Sequence, residues 1–377
     1  MTGGGEGFPR RYARTRGFTL GVPRCFSAAP DGARVAFLRS PAGDDPRQRL
    51  WVLDLASGVE RCVAEPHRPG APDGLPAEER ARRERVREAA GGIVAYATDR
   101  AVVRAAFALG GRLYVADLTG GARALAVDGP VVDPRPSPDG RQVAYVRERA
   151  LYVADLDGGG ARRLVGEDAP TVSWGLAEFV AAEELGRTRG FWWAPDSRRL
   201  AVARVDTADV ARWHLSDPAD PARPPTPVAY PAAGTANARV GLDVVALDGS
   251  RVPVTWDVAE LPYLVDVVWG EEGPLTVVVQ SRDQRTVQVL AADPDTGAPS
   301  RATRRVSRSS AVCTSRPSAS QRGTPGTMST QRESRSRRTT LAAPVSGSAA
   351  RTCTVRWARD CTTTVRGPSS PQTTSTR

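Results

Sequence analysis

Lysine is absent from the 377 residues, so arginine supplies every permanent side-chain cation. This pattern reads as the coding bias of a GC-rich gene rather than as chemistry. Histidine is almost absent: the chain has two, His67 and His214, and His214 lies in R-W-H-L-S-D-P. That setting suits a surface or packed histidine and offers no general base. The five cysteines (Cys25, Cys62, Cys313, Cys353 and Cys361) show no C-x-x-C spacing and no histidine nearby. That excludes a zinc site and leaves isolated thiols, as in a reducing compartment. No metal and no cofactor is expected. Long apolar runs are also missing. The start, MTGGGEGFPRRYARTRGFTLGVPRCF, lacks the apolar core of a secretory leader, and no later stretch reaches the roughly 20 residues of a membrane span. The expected compartment is the cytoplasm, with no membrane partner.

What is present is unevenly distributed. From Arg301 to Arg377 there are 15 arginines against two acids, Glu333 and Asp360, a charge of +13. The whole chain is +10, which leaves residues 1–300 at −3. The same tail holds 29 serines and threonines and only eight of Val, Leu, Met, Trp, Ile, Phe or Tyr. So little apolar surface cannot offset chain entropy, and the tail, residues 301–377, is expected to be disordered. The basic pI therefore says nothing about the body, which is close to neutral.

Within residues 1–300, two patterns alternate. In the first, a strand meets a Pro-Asp turn and leaves as a second strand: Phe26–Ser40, the stretch from Pro134, and Phe191–Asp206. Pro30, Pro138 and Pro195 preset the first central turn angle, and Asp and Gly accept the rest. In the second, an alternating apolar strand ends in Asp-Leu and a Gly-rich turn, at Leu50, Leu113 and Leu151, with echoes at Val244–Gly249 and Val287–Gly297. Period-two alternation marks strands with one buried row. Two such hairpins make a four-stranded sheet, and a sheet recurring at this spacing is a β-propeller blade. Leu113 and Leu151 are 38 residues apart, but Leu50 and Leu113 are 63 apart. The excess holds PAEERARRERVREAA at Pro76–Ala90, which reads as an inserted helical arm. The expectation is an all-β, incomplete β-propeller of about six blades over residues 1–300. A β-sandwich is the alternative, and it does not account for so regular a repeat.

One segment carries more. An acidic pair, Glu183-Glu184, is followed by W-W-x-P-D from Trp192, R-x-D from Arg204 and Y-P-x-A-G-x-x-N from Tyr230, with QSRDQ at Gln280–Gln284 beyond. In this order the chain resembles the propeller domain of the dipeptidyl peptidase IV branch of the prolyl oligopeptidase family of serine peptidases. The resemblance reaches about residue 297, and Ala236 stands where the family often has proline. It implies that Glu183 and Glu184 bind the α-ammonium of a peptide substrate. Two adjacent carboxylates repel each other, and a substrate cation is their natural complement. A solvated acidic turn is the plainer reading of the pair. The family also directs a cation at the substrate from another blade. The arm offers Arg83 or Arg87, and the sequence does not decide between them. Arg187 and Arg189 read as local ion pairs. Trp192 and Trp193 read as core, because neighbours in a strand face opposite ways.

The resemblance also implies a second domain bearing a G-x-S-x-G elbow, then Asp and His. No such elbow occurs, PVSGSAAR at Pro344–Arg351 lacks its spacing, and no histidine follows His214. The chain is therefore expected to be inactive alone, as a truncated or frameshifted family member whose frame breaks shortly after Gly297. Homodimers occur among relatives. The competing reading is a non-catalytic propeller that binds peptides or proteins and uses its basic tail for acidic partners or RNA. SRSRR at Ser334–Arg338 favours it, but the tail has no RGG boxes and few aromatics to stack on bases, so nucleic acid is not the expected partner.

Overall fold

The computed structural model describes residues 7–66, 77–85, 87–158, 160–271 and 273–306. The expected tail, His67, Cys313, Cys353 and Cys361 lie outside the described residues, apart from the main chain of 301–306.

After a short helix α1 (Phe8–Arg14), the chain builds five antiparallel sheets in succession. Sheet I is β1 (Arg24–Ala28), β2 (Arg34–Arg39), β3 (Arg47–Asp54) and β4 (Glu60–Ala64). The arm follows as α2 (Ala77–Arg85), and β5 (Gly91–Gly92) then pairs in parallel with the start of β3. Sheet II is β6 (Ala97–Thr98), β7 (Arg104–Leu109), β8 (Arg112–Asp117) and β9 (Ala122–Ala124). Sheet III is β10 (Val132–Pro136), β11 (Gln142–Arg147), β12 (Ala150–Asp155) and β13 (Arg162–Val165). Sheet IV has an interrupted first strand, β14 (Val172–Trp174), then helix α3 (Phe179–Glu183), then β15 (Phe191–Trp193). It continues with β16 (Arg199–Asp206), an exposed hairpin of β17 (Arg212–Leu215) and β18 (Thr226–Ala229), then β19 (Arg239–Ala246) and β20 (Arg251–Pro253). Sheet V is β21 (Tyr263–Trp269), β22 (Leu275–Gln280), β23 (Thr286–Ala292) and β24 (Pro299–Val306).

Each sheet joins one Pro-Asp or equivalent hairpin to one Asp-Gly hairpin, in chain order. The turns close on their own side chains: Asp31 accepts the Ala33 N–H at 2.9 Å, and Asp54 accepts the Ser57 N–H and hydroxyl, each at 2.8 Å. Asp117 accepts from Thr119 and Asp248 from Ser250 in the same manner. Such Asx turns make the spacing of the repeat a local property.

Cores form between consecutive sheets. Leu38, Leu50 and Val52 of sheet I pack against Ala105, Phe107 and Ala116 of sheet II. Val115 of sheet II meets Val143 and Tyr145 of sheet III, and Leu151 and Val153 of sheet III meet Phe191, Leu200 and Val202 of sheet IV. Val240, Leu242 and Val244 of sheet IV then meet Leu264, Val267 and Val277 of sheet V. Face-to-face packing of each sheet on the next is blade packing, so the fold is a β-propeller. The described residues hold five blades, not about six. The missing blade's worth of sequence went into the arm, α3 and the β17–β18 hairpin. Strand β24 pairs with β23 from Pro299 to Val306, so the last sheet crosses the compositional boundary at residue 300.

Candidate functional site

The break in the first strand of sheet IV creates the site. Strand β14 pairs with β16 through Trp174↔Arg204, and β15 resumes at Phe191↔Val202. Ala203, between those partners, receives both broken ends: its carbonyl accepts the Gly175 N–H at 2.9 Å and its N–H donates to the Gly190 carbonyl at 2.7 Å. Residues 176–189 therefore leave and rejoin the sheet at a single point. Glycine is required at that pinch, since a methyl group on Gly190 would lie 2.4 Å from the Gly175 carbonyl carbon and the Leu176 nitrogen.

The segment so extruded carries α3. Its N-cap is Glu178, whose carboxylate accepts the Val180 N–H at 2.5 Å and the Ala181 N–H at 2.7 Å. Its other end turns at Gly186, where φ is 71°, and the Arg187 N–H returns to the Ala181 carbonyl at 2.9 Å. Ala181 and Leu185 are buried against Val265 of β21. Arg187 is buried too, donating from Nε to the Leu264 carbonyl at 3.0 Å and from Nη1 to the Arg189 carbonyl at 2.9 Å.

Glu183 closes the last turn of α3 and Glu184 is its C-cap, both exposed. Neither carboxylate accepts a hydrogen bond or closes an ion pair among the described residues, although Arg85 lies within electrostatic reach of Glu183. Beside them a cavity of about 440 Å³ opens between α2, α3, β10 and the β17–β18 hairpin. Its charged lining is Glu78, Arg82, Arg85, Asp133, Arg149 and Glu178, and it excludes the Glu183–Glu184 pair itself.

The arm delivers Arg85, not Arg83 or Arg87. Buried Glu79 accepts from Arg82 at 2.7 and 2.8 Å and from Arg83 at 2.8 Å, which ties both back onto α2. Arg87 lies past the end of the helix, at φ 53°. Arg85 stacks on the Phe179 ring of α3 at 5.4 Å, a cation–π contact. Burial lowers the pKa of Arg85, and Glu178 and Glu183 oppose that shift. Burial likewise lowers Arg187, to about 10, and Arg189, to about 9, with Arg135 adding to the second. These two are therefore desolvated framework cations rather than surface ion pairs. Burial pushes the Glu178 carboxyl up, against the pull of Arg187 and its two N–H donors.

The remaining motif residues brace this frame. Trp192 enters the core shared with sheet V, and Trp193 enters the core shared with sheet III, donating to the Arg135 carbonyl at 3.1 Å. Arg204 forms a two-point bridge to Glu167 at 2.7 and 2.9 Å. Tyr230 meets the Phe179 ring edge-on, and Asn237 donates to the Tyr263 hydroxyl at 3.0 Å. His214 is exposed on β17. Among the described residues no group of three His, Cys, Asp or Glu could hold a metal, and no helix is long and apolar enough to cross a membrane.

The sequence model of the dipeptidyl peptidase IV N-terminal region matches residues 102–320. The chain belongs to this family. Among dipeptidyl peptidases, it is 31% identical to dipeptidyl peptidase 4 of Felis catus over 36% of this chain and 20% of that protein. It is 29% identical to venom dipeptidyl peptidase 4 of Apis mellifera, over 42% of this chain and 22% of that one. The crystal structure of Porphyromonas gingivalis dipeptidyl peptidase 4 superposes with a TM-score of 0.59 at 21% identity, covering 78% of this chain and 42% of the other. That likeness speaks for the propeller fold. The chain thus spans about a fifth of the length of the curated relatives it matches. Glu178 and Arg85 of this dipeptidyl peptidase IV-type propeller escaped the sequence reading. For Glu178 a signal existed, an acid immediately before a four-residue apolar stretch, Phe179–Ala182, that runs into the acidic pair.

Proposed function

We propose that the chain is the substrate-gauging propeller of a dipeptidyl peptidase IV-like peptidase, in which Glu183 and Glu184 hold the free α-ammonium of a peptide. What carries this reading is that both carboxylates, at the end of a helix extruded from sheet IV, are exposed and unpaired among the described residues. A peptide ammonium supplies the missing cation through charge-assisted hydrogen bonds. Arg85, held over Phe179 beside the cavity, is the cation directed at the peptide from another blade. Fixing the amino terminus sets how far a peptide enters, so these residues measure a substrate without cutting it. The part of this chain in the reaction is binding, since it has neither a G-x-S-x-G elbow nor a histidine beyond His214.

Calorimetry with a free-amino Xaa-Pro dipeptide amide and its N-acetylated twin tests the reading. The free-amino probe should bind more tightly, and Glu183→Gln should weaken it about 10- to 100-fold, the worth of one hydrogen bond to a charged group. Equal binding of the two probes refutes the ammonium site. A dipeptidyl-proline chromogenic substrate should remain uncleaved by the purified chain. The change of composition after residue 300 further suggests a reading-frame break downstream of β24. A G-x-S-x-G elbow followed by Asp and His in another frame of the gene would support it, and no elbow in either frame would refute it.

A further inference from the structure

We propose that Glu178 and Arg187 are positioning residues for the Glu183–Glu184 pair, a buried couple that fixes the two ends of α3. The proposal rests on reading that pair as the peptide-ammonium site.

Helix α3 has five residues, Phe179–Glu183, far short of the roughly 12–15 at which an isolated helix becomes marginally stable. Its apolar anchorage is slight, with Ala181 and Leu185 set against Val265. The geometry of two adjacent carboxylates at its C-terminal end must therefore be imposed from outside. The structure provides two devices. At the start, Glu178 is 8% exposed and occupies two otherwise unpaired helix N–H groups. At the end, Arg187 is 4% exposed, and its main chain closes the turn while its guanidinium bonds to Leu264 of sheet V. Among the described residues the Arg187 Nη2 is buried without a hydrogen-bond partner, and beyond the two carbonyls that the guanidinium bonds its charge is balanced by the fields of Glu178 and Asp266.

The charged groups facing the couple are Arg85 from α2, Asp266 from β21 and, from the same extruded segment, Arg189, whose like charge opposes that of Arg187. Removing either member leaves the other buried and less compensated, which is the costly way to break such an arrangement. Neither residue need touch the peptide. Each acts on it through the direction and spacing of Glu183 and Glu184.

The test uses the full chain, the free-amino Xaa-Pro dipeptide amide and its acetylated twin, with amide exchange followed at Val180 and Ala181. Glu178→Gln keeps the shape and removes the charge. It should weaken the free-amino probe about tenfold, leave the acetylated probe unchanged and accelerate exchange at both amides. Glu178→Asp, which keeps a capping carboxylate, should restore most of the affinity and protection, whereas a purely packing role would not be rescued by the shorter side chain. Arg187→Gln should reproduce the loss, and if it fails to fold, the Glu178 pair of variants decides alone. Unchanged affinity and unchanged exchange in Glu178→Gln overturn the proposal. If the wild-type chain does not distinguish the two probes, the ammonium reading has failed. The hold on α3 is then judged by exchange: loss in Glu178→Gln with rescue in Glu178→Asp sustains it, and no loss overturns it.

Discussion

Trp192 and Trp193 are neighbours in β15 and serve two different cores, one toward sheet V and one toward sheet III. That division was legible in the sequence, because alternation in a strand leaves adjacent side chains no common face. Trp193→Ala should cost about 3–5 kcal/mol, as expected for a large buried aromatic, and a urea melt will show it. Titration at single residues has two opposite signs here. The turn aspartates Asp54, Asp117 and Asp248 have lowered pKa values because serine, threonine and main-chain donors hold the carboxylate. Their contribution is present above the unfolded pKa and is lost as acid protonates them. Glu178 is raised by burial, so its contribution is full below the ordinary glutamate value and is lost as pH rises through its higher folded value. Glu178→Gln should accordingly flatten the fall in stability with rising pH just above that ordinary value, measured as urea midpoints across pH. A steeper fall in the variant would contradict the assignment.

At the scale of elements, the hairpins were readable and the interruption was not. Pro-Asp and Asp-Gly turns are closed by side chains two or three residues away, so their signal is local. The split of one strand into β14 and β15 depends on Ala203, 28 residues beyond Gly175 and 13 beyond Gly190, and no local pattern reports such a meeting. Position offers a partial explanation. Counting from the Pro of the shared turn, the first strands of sheets I and III bulge opposite Phe37 and Tyr145, and Ala203 is one residue further along. Bulges are where a ladder already tolerates extra residues. That Arg85 lines the cavity while Arg83 and Arg87 do not was hidden for a similar reason, since it depends on Glu79 engaging its helix neighbours. Gly190→Ala tests the pinch. It should cost about 1–3 kcal/mol, the usual range for overpacking, and should weaken the free-amino probe as well as lower the melting temperature.

For the whole molecule, packing runs from each blade to the next, so stability should be distributed as in a repeat protein rather than pooled in one centre. Amide exchange should grade accordingly. Strands β11 and β12, whose Val143, Ala144, Tyr145 and Leu151 are fully buried, should be among the slowest. The β17–β18 hairpin forms its own two-stranded sheet, exposes Trp213 and Leu215, and should exchange fastest. Uniform protection across both regions would contradict blade-wise stability. The blade repeat was visible in the spacing of the turns, whereas the number of blades was not, because inserted segments occupy sequence without adding sheets. The pinch at Ala203 has one more consequence at this scale. Because the ladder of sheet IV continues on both sides of it in unchanged register, whatever hangs from it can lengthen, shorten or be exchanged without moving a strand. The segment proposed to gauge a ligand is thus free to diversify while its scaffold stays constant.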